Sequence, residues 1–184
     1  MIQNSKRQSG LTLIEILIAI TVIAILLSIA VPNFRTAIQN NRVATQGNEL
    51  VTAFQLARSE ALKRRAPVIV CASADGATCG GAWNAGWIVT EDSGQPGTTN
   101  FVPVADGPIR VWTGLRGGMT LASIDANDAA VAAVRFLPRG TADQVDRAFP
   151  YVFSLAIPDC QGDQARDITI ARSGSVISER VACN

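Results

Sequence analysis

Few side chains in this 184-residue sequence are of a type that does chemistry, and their types are restrictive. There is no histidine, which removes the commonest general base, the commonest metal ligand and every catalytic triad built on imidazole. Two acidic pairs, Glu91 with Asp92 and Asp125 with Asp128, have the chemistry of acid–base or calcium sites. Both lie in loop-like sequence, where acids usually form turns. We therefore expect a non-enzymatic protein with no cofactor, no catalytic residue and no metal site.

Four cysteines, Cys71, Cys79, Cys160 and Cys183, are 8, 81 and 23 positions apart, and these spacings match no CxxC zinc or redox pattern. An even number behind an export-type N-terminus indicates two disulfides formed in an oxidising compartment. Three pairings are possible, and proximity in the sequence favours Cys71 with Cys79 and Cys160 with Cys183. Four reduced and buried thiols are the alternative.

Glu15 is conspicuous because it lies inside the apolar run from Leu11 to Val31. As a helix this run is about 31 Å long, enough to cross a membrane. It is too long for a secretory signal peptide, and no small-residue cleavage site follows it. Lys6 and Arg7 precede it and no basic residue follows until Arg35, which orients the N-terminus toward the cytoplasm. A single-span anchor explains all of this except Glu15, because an unpaired charge in hydrocarbon is costly.

Around Glu15 the sequence reads Ser9-Gly10-Leu11-Thr12-Leu13-Ile14-Glu15. These residues resemble the processing site of type IV prepilins and type II secretion pseudopilins, and the whole stretch from Gly10 to Pro32 matches that family's pattern. It implies that a prepilin leader peptidase cuts after Gly10, that Leu11 becomes the N-methylated first residue, and that Glu15 is retained at mature position five. It also implies a helix kink at Pro32.

The resemblance gives the buried carboxylate a role in assembly. In the filament that this family implies, the apolar helices bundle into a core that contains little water. The carboxylate of Glu15 then meets the N-terminal ammonium of a neighbouring subunit, and only one axial offset brings the two charges together. Glu15 is thereby expected to set the assembly register. The alternative is that Glu15, one turn into the helix, reaches the membrane interface.

Beyond Pro32 the helical pattern becomes amphipathic. One face repeats at spacings of three and four, with Val43, Gly47, Leu50, Phe54, Ala57 and Ala61. Glu60 and Arg64 form a supportive pair, and Pro67 disfavours helix at the residue before it. We expect a leader at residues 1–10, one helix at 11–64 whose residues 11–31 form the transmembrane segment and filament core, and a β-rich globular head at 65–184.

The head sequence consists of short β-type runs broken by Gly, Pro and Asp. Strands are expected near Val68–Ala72, Gly86–Thr90, Ile109–Thr113, Met119–Ile124, Val134–Leu137, Tyr151–Ile157, Ile168–Ala171 and Val176–Ser178. Ser173-Gly174 reads as a hairpin turn, and the segment from Glu91 to Gly107 as a mobile loop. The fold class is therefore α+β and type IV pilin-like, with a long N-terminal α-helix packed against a C-terminal antiparallel β-sheet head.

Among pilin-like proteins the head most resembles the GspH/FimT branch, which includes FimU-like minor pilins. The residues that carry this resemblance are Arg58-Ser59-Glu60-Ala61, Trp83, Gly86-Trp87-Ile88-Val89, Phe136-Leu137-Pro138-Arg139-Gly140, Ile168-Thr169-Ile170 and Ser173-Gly174. The implied partners are other major and minor pilins or pseudopilins through the N-terminal helix, the prepilin peptidase and an inner-membrane assembly platform. The implied location is a single pass of the inner membrane with a periplasmic head, followed by an extracellular pilus or a periplasmic pseudopilus.

Some members of this branch bind DNA through a G-R-x-R motif in the last hairpin, where this sequence has Gly174-Ser175-Val176-Ile177. Lys6, Arg7 and Glu15 are the only charged residues before Pro32, so residues 33–184 hold 14 basic and 14 acidic side chains. We expect no DNA binding from this balance. If the head does bind DNA, the candidate contacts are Arg139, Arg166, Arg172 and Arg180.

The function that this sequence favours is that of a minor type IV pilin, a low-copy structural subunit near the pilus tip that primes pilus assembly. The first alternative is a minor pseudopilin of type II secretion. The second is a DNA-binding minor pilin for natural transformation.

Overall fold

The structure is a computed structural model that describes residues 12–98, 100–104, 107–143, 148–158, 160 and 162–183. The predicted processing residues, Gly10 and Leu11, lie outside this set. The chain divides into two compact units, of which the first ends at Ile38 and the second begins at Gln39. One helix, α1 (Leu13–Arg64), contributes residues to both units.

Helix α1 begins and ends at residues that favour its two termini. The Thr12 hydroxyl accepts the backbone N–H of Glu15 at 3.3 Å, and threonine followed three residues later by glutamate is the capping-box pattern. After Arg64 the chain leaves the helix through Arg65, whose φ of 55° is left-handed, and Pro67 follows. The predicted end of the helix is thus confirmed. The helix continues through Pro32, and the kink there stays a prediction.

Eight strands follow α1, and all eight regions in which the sequence predicted a strand contain one. Their bounds are β1 (Val68–Ala72), β2 (Gly86–Glu91), β3 (Arg110–Thr113), β4 (Thr120–Ile124), β5 (Ala133–Phe136), β6 (Tyr151–Ala156), β7 (Ala165–Ile170) and β8 (Val176–Val181). Strand β7 begins three residues earlier than expected and β8 ends three residues later. The predicted turn between them is present, with the N–H of Gly174 donating to the carbonyl of Ala171 at 2.8 Å.

The strands form two four-stranded sheets in which every paired neighbour is antiparallel. The first sheet has the order β3-β2-β1-β5 and the second β4-β6-β7-β8. The prediction of an antiparallel β-sheet head is therefore confirmed. The division of its strands into two sheets was not predicted.

The core of the second unit lies where α1 meets both sheets. The buried residues of α1 are Val43, Gly47, Leu50, Ala53, Phe54, Ala57 and Ala61, which include every residue of the predicted face. The Phe54 ring packs 4.9 Å from the Phe153 ring of β6, and the Trp83 ring also lies 4.9 Å from Phe153. Trp83 lies in the turn before β2 and its indole N–H donates to the Val131 carbonyl at 2.8 Å. These three rings join the helix to the two sheets.

Replacing Phe54 by alanine tests this joint. Phe54 has no exposed surface, so Phe54→Ala is expected to lower the free energy of unfolding by about 3–5 kcal/mol. The matched control is Phe34→Ala on the same helix, because the Phe34 side chain is 68% exposed. Denaturant unfolding of the full chain in detergent micelles measures both. Equal effects of the two substitutions would contradict the described core.

Candidate functional site

The N-terminal part of α1 presents an apolar surface on all sides. Within the first compact unit, the large apolar side chains from Leu13 to Val31 are each between 44% and 77% exposed. By length and composition this helix is able to cross a membrane. A helix that is hydrophobic all round needs lipid or other helices around it.

Glu15 is the polar exception within this surface. The hydroxyls of Thr21 and Ser28 donate to carbonyls of their own helix, those of Ile18 at 2.8 Å and Ile25 at 2.7 Å. The Glu15 backbone N–H bonds to Thr12, but among the described residues the Glu15 carboxylate has no partner. Of the three polar side chains in residues 13–31, it is therefore the one that no described residue occupies, and it is available to a hydrogen-bond donor or a cation.

Both disulfides favoured by the sequence are present. Cys71 in β1 bonds to Cys79 with their Cα atoms 5.5 Å apart, and Cys160 bonds to Cys183 with a Cα separation of 5.6 Å. Both separations lie in the usual range for disulfides. The second bond fastens the segment after β8 to the segment after β6, and the N–H of Cys183 also donates to the carbonyl of Gly162 at 2.8 Å.

The loop closed by Cys71 and Cys79 contains a turn organised by one carboxylate. The Asp75 side chain accepts the backbone N–H groups of Ala77 and Thr78, both at 2.8 Å, and the Thr78 hydroxyl at 2.7 Å. These hydrogen bonds, the one from the Thr78 backbone first, hold the pKa of Asp75 well below its usual range. Asp75 is thus a turn-forming residue.

In the two acidic pairs considered for catalysis or calcium, Glu91, Asp92 and Asp125 each have partners elsewhere in the fold. Glu91 faces Arg64 at 3.5 Å, whereas Asp92 points into the head and pairs with Arg135. The Asp125 carboxylate accepts the backbone N–H groups of Asn127 and Ala129, each at 2.9 Å. Among the described residues no group of acids, cysteines or histidines is arranged to hold a metal ion.

A shallow groove of about 280 Å³ lies between α1 and β3 in the second unit. The residues that line it are Thr45, Asn48, Glu49, Thr52, Arg110 and Trp112. Glu49 is the one carboxylate in this lining, and no cysteine or lysine accompanies it. Among its described lining residues the groove therefore holds no pair of acids.

Arg135 forms a buried network that was not predicted from the sequence. Its Nε donates to Asp92 at 2.5 Å and its Nη1 to Asp143 at 3.1 Å, and its side chain has no exposed surface. The same guanidinium donates to the carbonyls of Gln95, Thr98 and Asn100 at 3.1, 2.9 and 2.9 Å. The segment after β2, predicted as a mobile loop, is thus anchored in the head interior at its described residues.

The anchored loop covers one face of the first sheet. The Arg135 guanidinium lies 4.8 Å from the centre of the Phe101 ring, and Phe101 packs on the cluster of Ile69, Cys71, Ile88 and Ala133. The buried ion pairs therefore hold an aromatic residue over an apolar sheet face.

The four arginines named as DNA candidates do not converge on one surface. Arg139 and Arg172 lie in turns that touch, since the N–H of Ala142 donates to the Arg172 carbonyl at 3.1 Å. Arg166 and Arg180 are opposite each other at the far end of β7 and β8 from that turn. Arg166 donates to Asn48 at 3.5 Å and to Ser178 at 3.3 Å, so its guanidinium is directed at α1 and β8.

Three of the functional features were missed or only partly read from the sequence. Thr12 caps α1, and the Thr-x-x-Glu pattern was sufficient to find it. Arg58, quoted only for its resemblance, donates to the Ser173 carbonyl at 3.3 Å and thereby ties α1 to the last hairpin. The buried network of Arg135 could not be predicted, because Asp92 is 43 positions away and Asp143 belongs to no recognisable sequence pattern.

Solved structures of pilin-like proteins are similar to this chain. Two crystal structures of the type IV minor pilin FimU from Pseudomonas aeruginosa match with TM-scores of 0.53 and 0.50, each at 20% identity. They cover 76% and 74% of this chain, and 89% and 91% of the FimU chains. The minor pseudopilin EpsH of the Vibrio cholerae type 2 secretion system matches at 0.49 with 12% identity, over 76% of this chain and 97% of that one. The fold is therefore that of a pilin-like subunit.

Family models agree with the fold. A model described as type II transport protein GspH matches residues 46–174, and one described as the prokaryotic N-terminal methylation motif matches residues 5–31. The chain belongs to the GspH family, as the resemblance of its head residues indicated. Comparison with curated proteins gave no significant match.

Removing the buried guanidinium tests the interior network. Arg135→Met leaves the carboxylates of Asp92 and Asp143 buried without a cation, which is expected to cost about 3–5 kcal/mol of unfolding free energy. Adding Asp92→Asn and Asp143→Asn removes those charges and is expected to recover part of the loss. Denaturant unfolding of the full chain in detergent micelles measures the change.

The control for this variant is Arg110→Met. Arg110 also lies 4.8 Å from the centre of an aromatic ring, that of Trp112, but it is exposed and forms no ion pair among the described residues. Its loss is expected to change stability by less than about 1 kcal/mol. If both methionine variants were equally stable, the network would not anchor the head.

Proposed function

We propose that this chain is a minor subunit of a type IV pilus, present in few copies near the tip, where it primes pilus assembly. The observation that carries the proposal is one carboxylate, Glu15, in the first turn of an exposed apolar helix, which has no partner among the described residues. This segment overlaps the match to the N-terminal methylation motif. The family assignment and the FimU-like fold of the head support the same function.

Processing prepares the helix for assembly in this proposal. The prepilin peptidase cuts between Gly10 and Leu11 on the cytoplasmic side, because a glycine lets the enzyme approach the backbone closely. The apolar segment then holds the subunit in the inner membrane, with its head in the periplasm. The new N-terminus at Leu11 is methylated and keeps its positive charge, since methylation of an amine preserves its basicity.

Glu15 sets the register when the subunit leaves the membrane for the filament. The apolar helices of neighbouring subunits pack together, and the carboxylate of one meets the N-terminal ammonium of another. A pair of opposite charges in such surroundings is favourable only at contact, so one axial offset is preferred over all others. Pro32 is proposed to kink α1 where it leaves this helical bundle.

The partners that follow from this proposal are the other major and minor pilins, the peptidase and the inner-membrane assembly platform. A minor pseudopilin of a type II secretion system is the second candidate, and the description of the GspH family favours it. Deleting the gene separates the two. Loss of surface pili with normal secretion supports the pilus, and loss of secretion with normal pili supports the pseudopilus.

Substituting Glu15 tests the register mechanism. Glu15→Ala is expected to insert into the inner membrane normally, because insertion needs only the apolar segment, yet to be absent from sheared pili. Glu15→Gln, which keeps the shape and removes the charge, is expected to behave in the same way. Immunoblots of membrane and pilus fractions provide the measurement.

Glu49→Ala is the matched control, since it makes the same change on the same helix but in the second compact unit. It is expected to enter pili at the wild-type level. Normal incorporation of Glu15→Ala would show that the carboxylate does not set the register.

We propose no role in DNA uptake. The candidate arginines lie in two separate pairs, and the charges of residues 33–184 are balanced. The full chain in detergent micelles is therefore expected to show no salt-sensitive binding to duplex DNA near physiological ionic strength. Micromolar binding that weakens with added salt and disappears in Arg172→Ala with Arg180→Ala would favour the DNA-binding alternative.

A further inference from the structure

The hairpin of β7 and β8 contains two like-charge pairs directly opposite each other. In its register Asp167 faces Glu179, and the adjacent pair is Arg166 with Arg180. Like charges opposite each other destabilise an antiparallel sheet. Shifting either strand by two residues would avoid both pairs, so the observed register is kept at the expense of two electrostatic repulsions.

The two pairs lie on opposite faces of the second sheet, because successive side chains of a strand alternate. Ile168 and Ile170 of β7 are buried in the core, and the Arg166 side chain lies over Gly47 of α1. The arginine pair is therefore on the face that packs on α1, and the acidic pair is on the outer face. Ile177, beside Glu179 on that outer face, is 52% exposed.

Within the described part of the chain, none of these four charges has an ion-pair partner. The ion pairs that the structure contains involve neither Asp167, Glu179 nor Arg180. Arg166 bonds only to the neutral side chains of Asn48 and Ser178. The repulsions are thus not offset by ion pairs with the described residues of the head.

Strand β8 is also an edge strand with an open side. Its one partner among the described strands is β7, and no described backbone hydrogen bond outside that ladder involves residues 176–181. Every second residue of an edge strand directs its N–H and C=O away from the sheet. The edges of β4 and β5 are partly covered. The N–H of Val131 donates to the backbone carbonyl of Ser123 in β4, and the N–H of Asp143 donates to the backbone carbonyl of Arg135 in β5.

We propose that the β8 edge binds an extended segment of another protein, which adds to the sheet as an antiparallel strand. The added strand has a basic residue opposite Glu179 and an acidic residue opposite Arg180. Because the strands run in opposite directions, the acidic residue comes immediately before the basic one in the partner sequence. An apolar residue two positions after the basic one then lies opposite the exposed side chain of Ile177.

A second copy of β8 does not meet this requirement. Residues directly opposite each other in a sheet lie on the same face, so a second β8 related by a twofold axis places Glu179 opposite Ser175, Ile177, Glu179 or Val181. It places Arg180 opposite Val176, Ser178, Arg180 or Ala182. None of these residues has the complementary charge. The partner is therefore a different segment, and the inference holds for a pilus and a pseudopilus alike.

Two capped synthetic peptides of identical composition test the proposal. The first is Val-Glu-Lys-Thr-Val-Thr, which satisfies the charge order, and the control is Val-Lys-Glu-Thr-Val-Thr. Titration into the full chain in detergent micelles, followed by NMR shifts of β8 amides, is expected to show about tenfold tighter binding of the first, because two attractive pairs replace two repulsive ones. The variant with Glu179→Lys and Arg180→Glu is expected to prefer the control peptide.

Backbone methylation separates strand addition from simple charge attraction. N-methyl groups on one set of alternate peptide residues are expected to abolish binding, whereas the same groups on the other set leave it unchanged. No shift with either peptide at millimolar concentration, equal affinities for the two, or equal tolerance of both methylation patterns would overturn the proposal. Concentration-dependent self-association through β8 would also overturn it, since the edge would then be covered by a second copy.

Discussion

The constraint on which this protein depends is that one continuous helix must suit two surroundings. From Leu13 to Val31 its apolar side chains are exposed on every side, whereas from Val43 onward one narrow face is buried in the head. Burying one large apolar side chain away from water is favourable by about 1.5–3 kcal/mol of free energy. The first part of the helix therefore requires lipid or other helices, and the second part requires its own sheets.

The head meets its side of this constraint with an aromatic joint and a buried charge network. The rings of Phe54, Trp83 and Phe153 join α1 to the two sheets. The polar N–H of the Trp83 indole is satisfied there, because it donates to a carbonyl. Arg135 and its two carboxylates hold the loop after β2 against the outer side of the first sheet. One disulfide joins the loop after β1 to that strand, and the other joins the segments that follow β6 and β8. A head with a small core gains rigidity from such links.

The sequence predicted the elements well wherever a local pattern determines them. The end of α1, the bounds of β1 and the buried face of the helix follow from proline position and from periodicity. Strands β7 and β8 are longer than predicted because Arg166-Asp167 and Glu179-Arg180 interrupt the apolar pattern that marks a strand. The pairing of Arg135 with Asp92 could not be predicted from the sequence. A charged residue in a strand is expected to be exposed, and its carboxylate partner is 43 positions away in the sequence. The role of Glu15 rested on resemblance, and its lack of a partner in the described structure gives that role a physical reason.

We propose that this chain is processed as a prepilin and then assembled into a filament. Mass spectrometry of the N-terminal peptide from sheared pili tests it most directly. We predict a peptide that begins at Leu11 and carries one added methyl group on its amine. A chain in assembled pili that still begins at Met1 would contradict the claim.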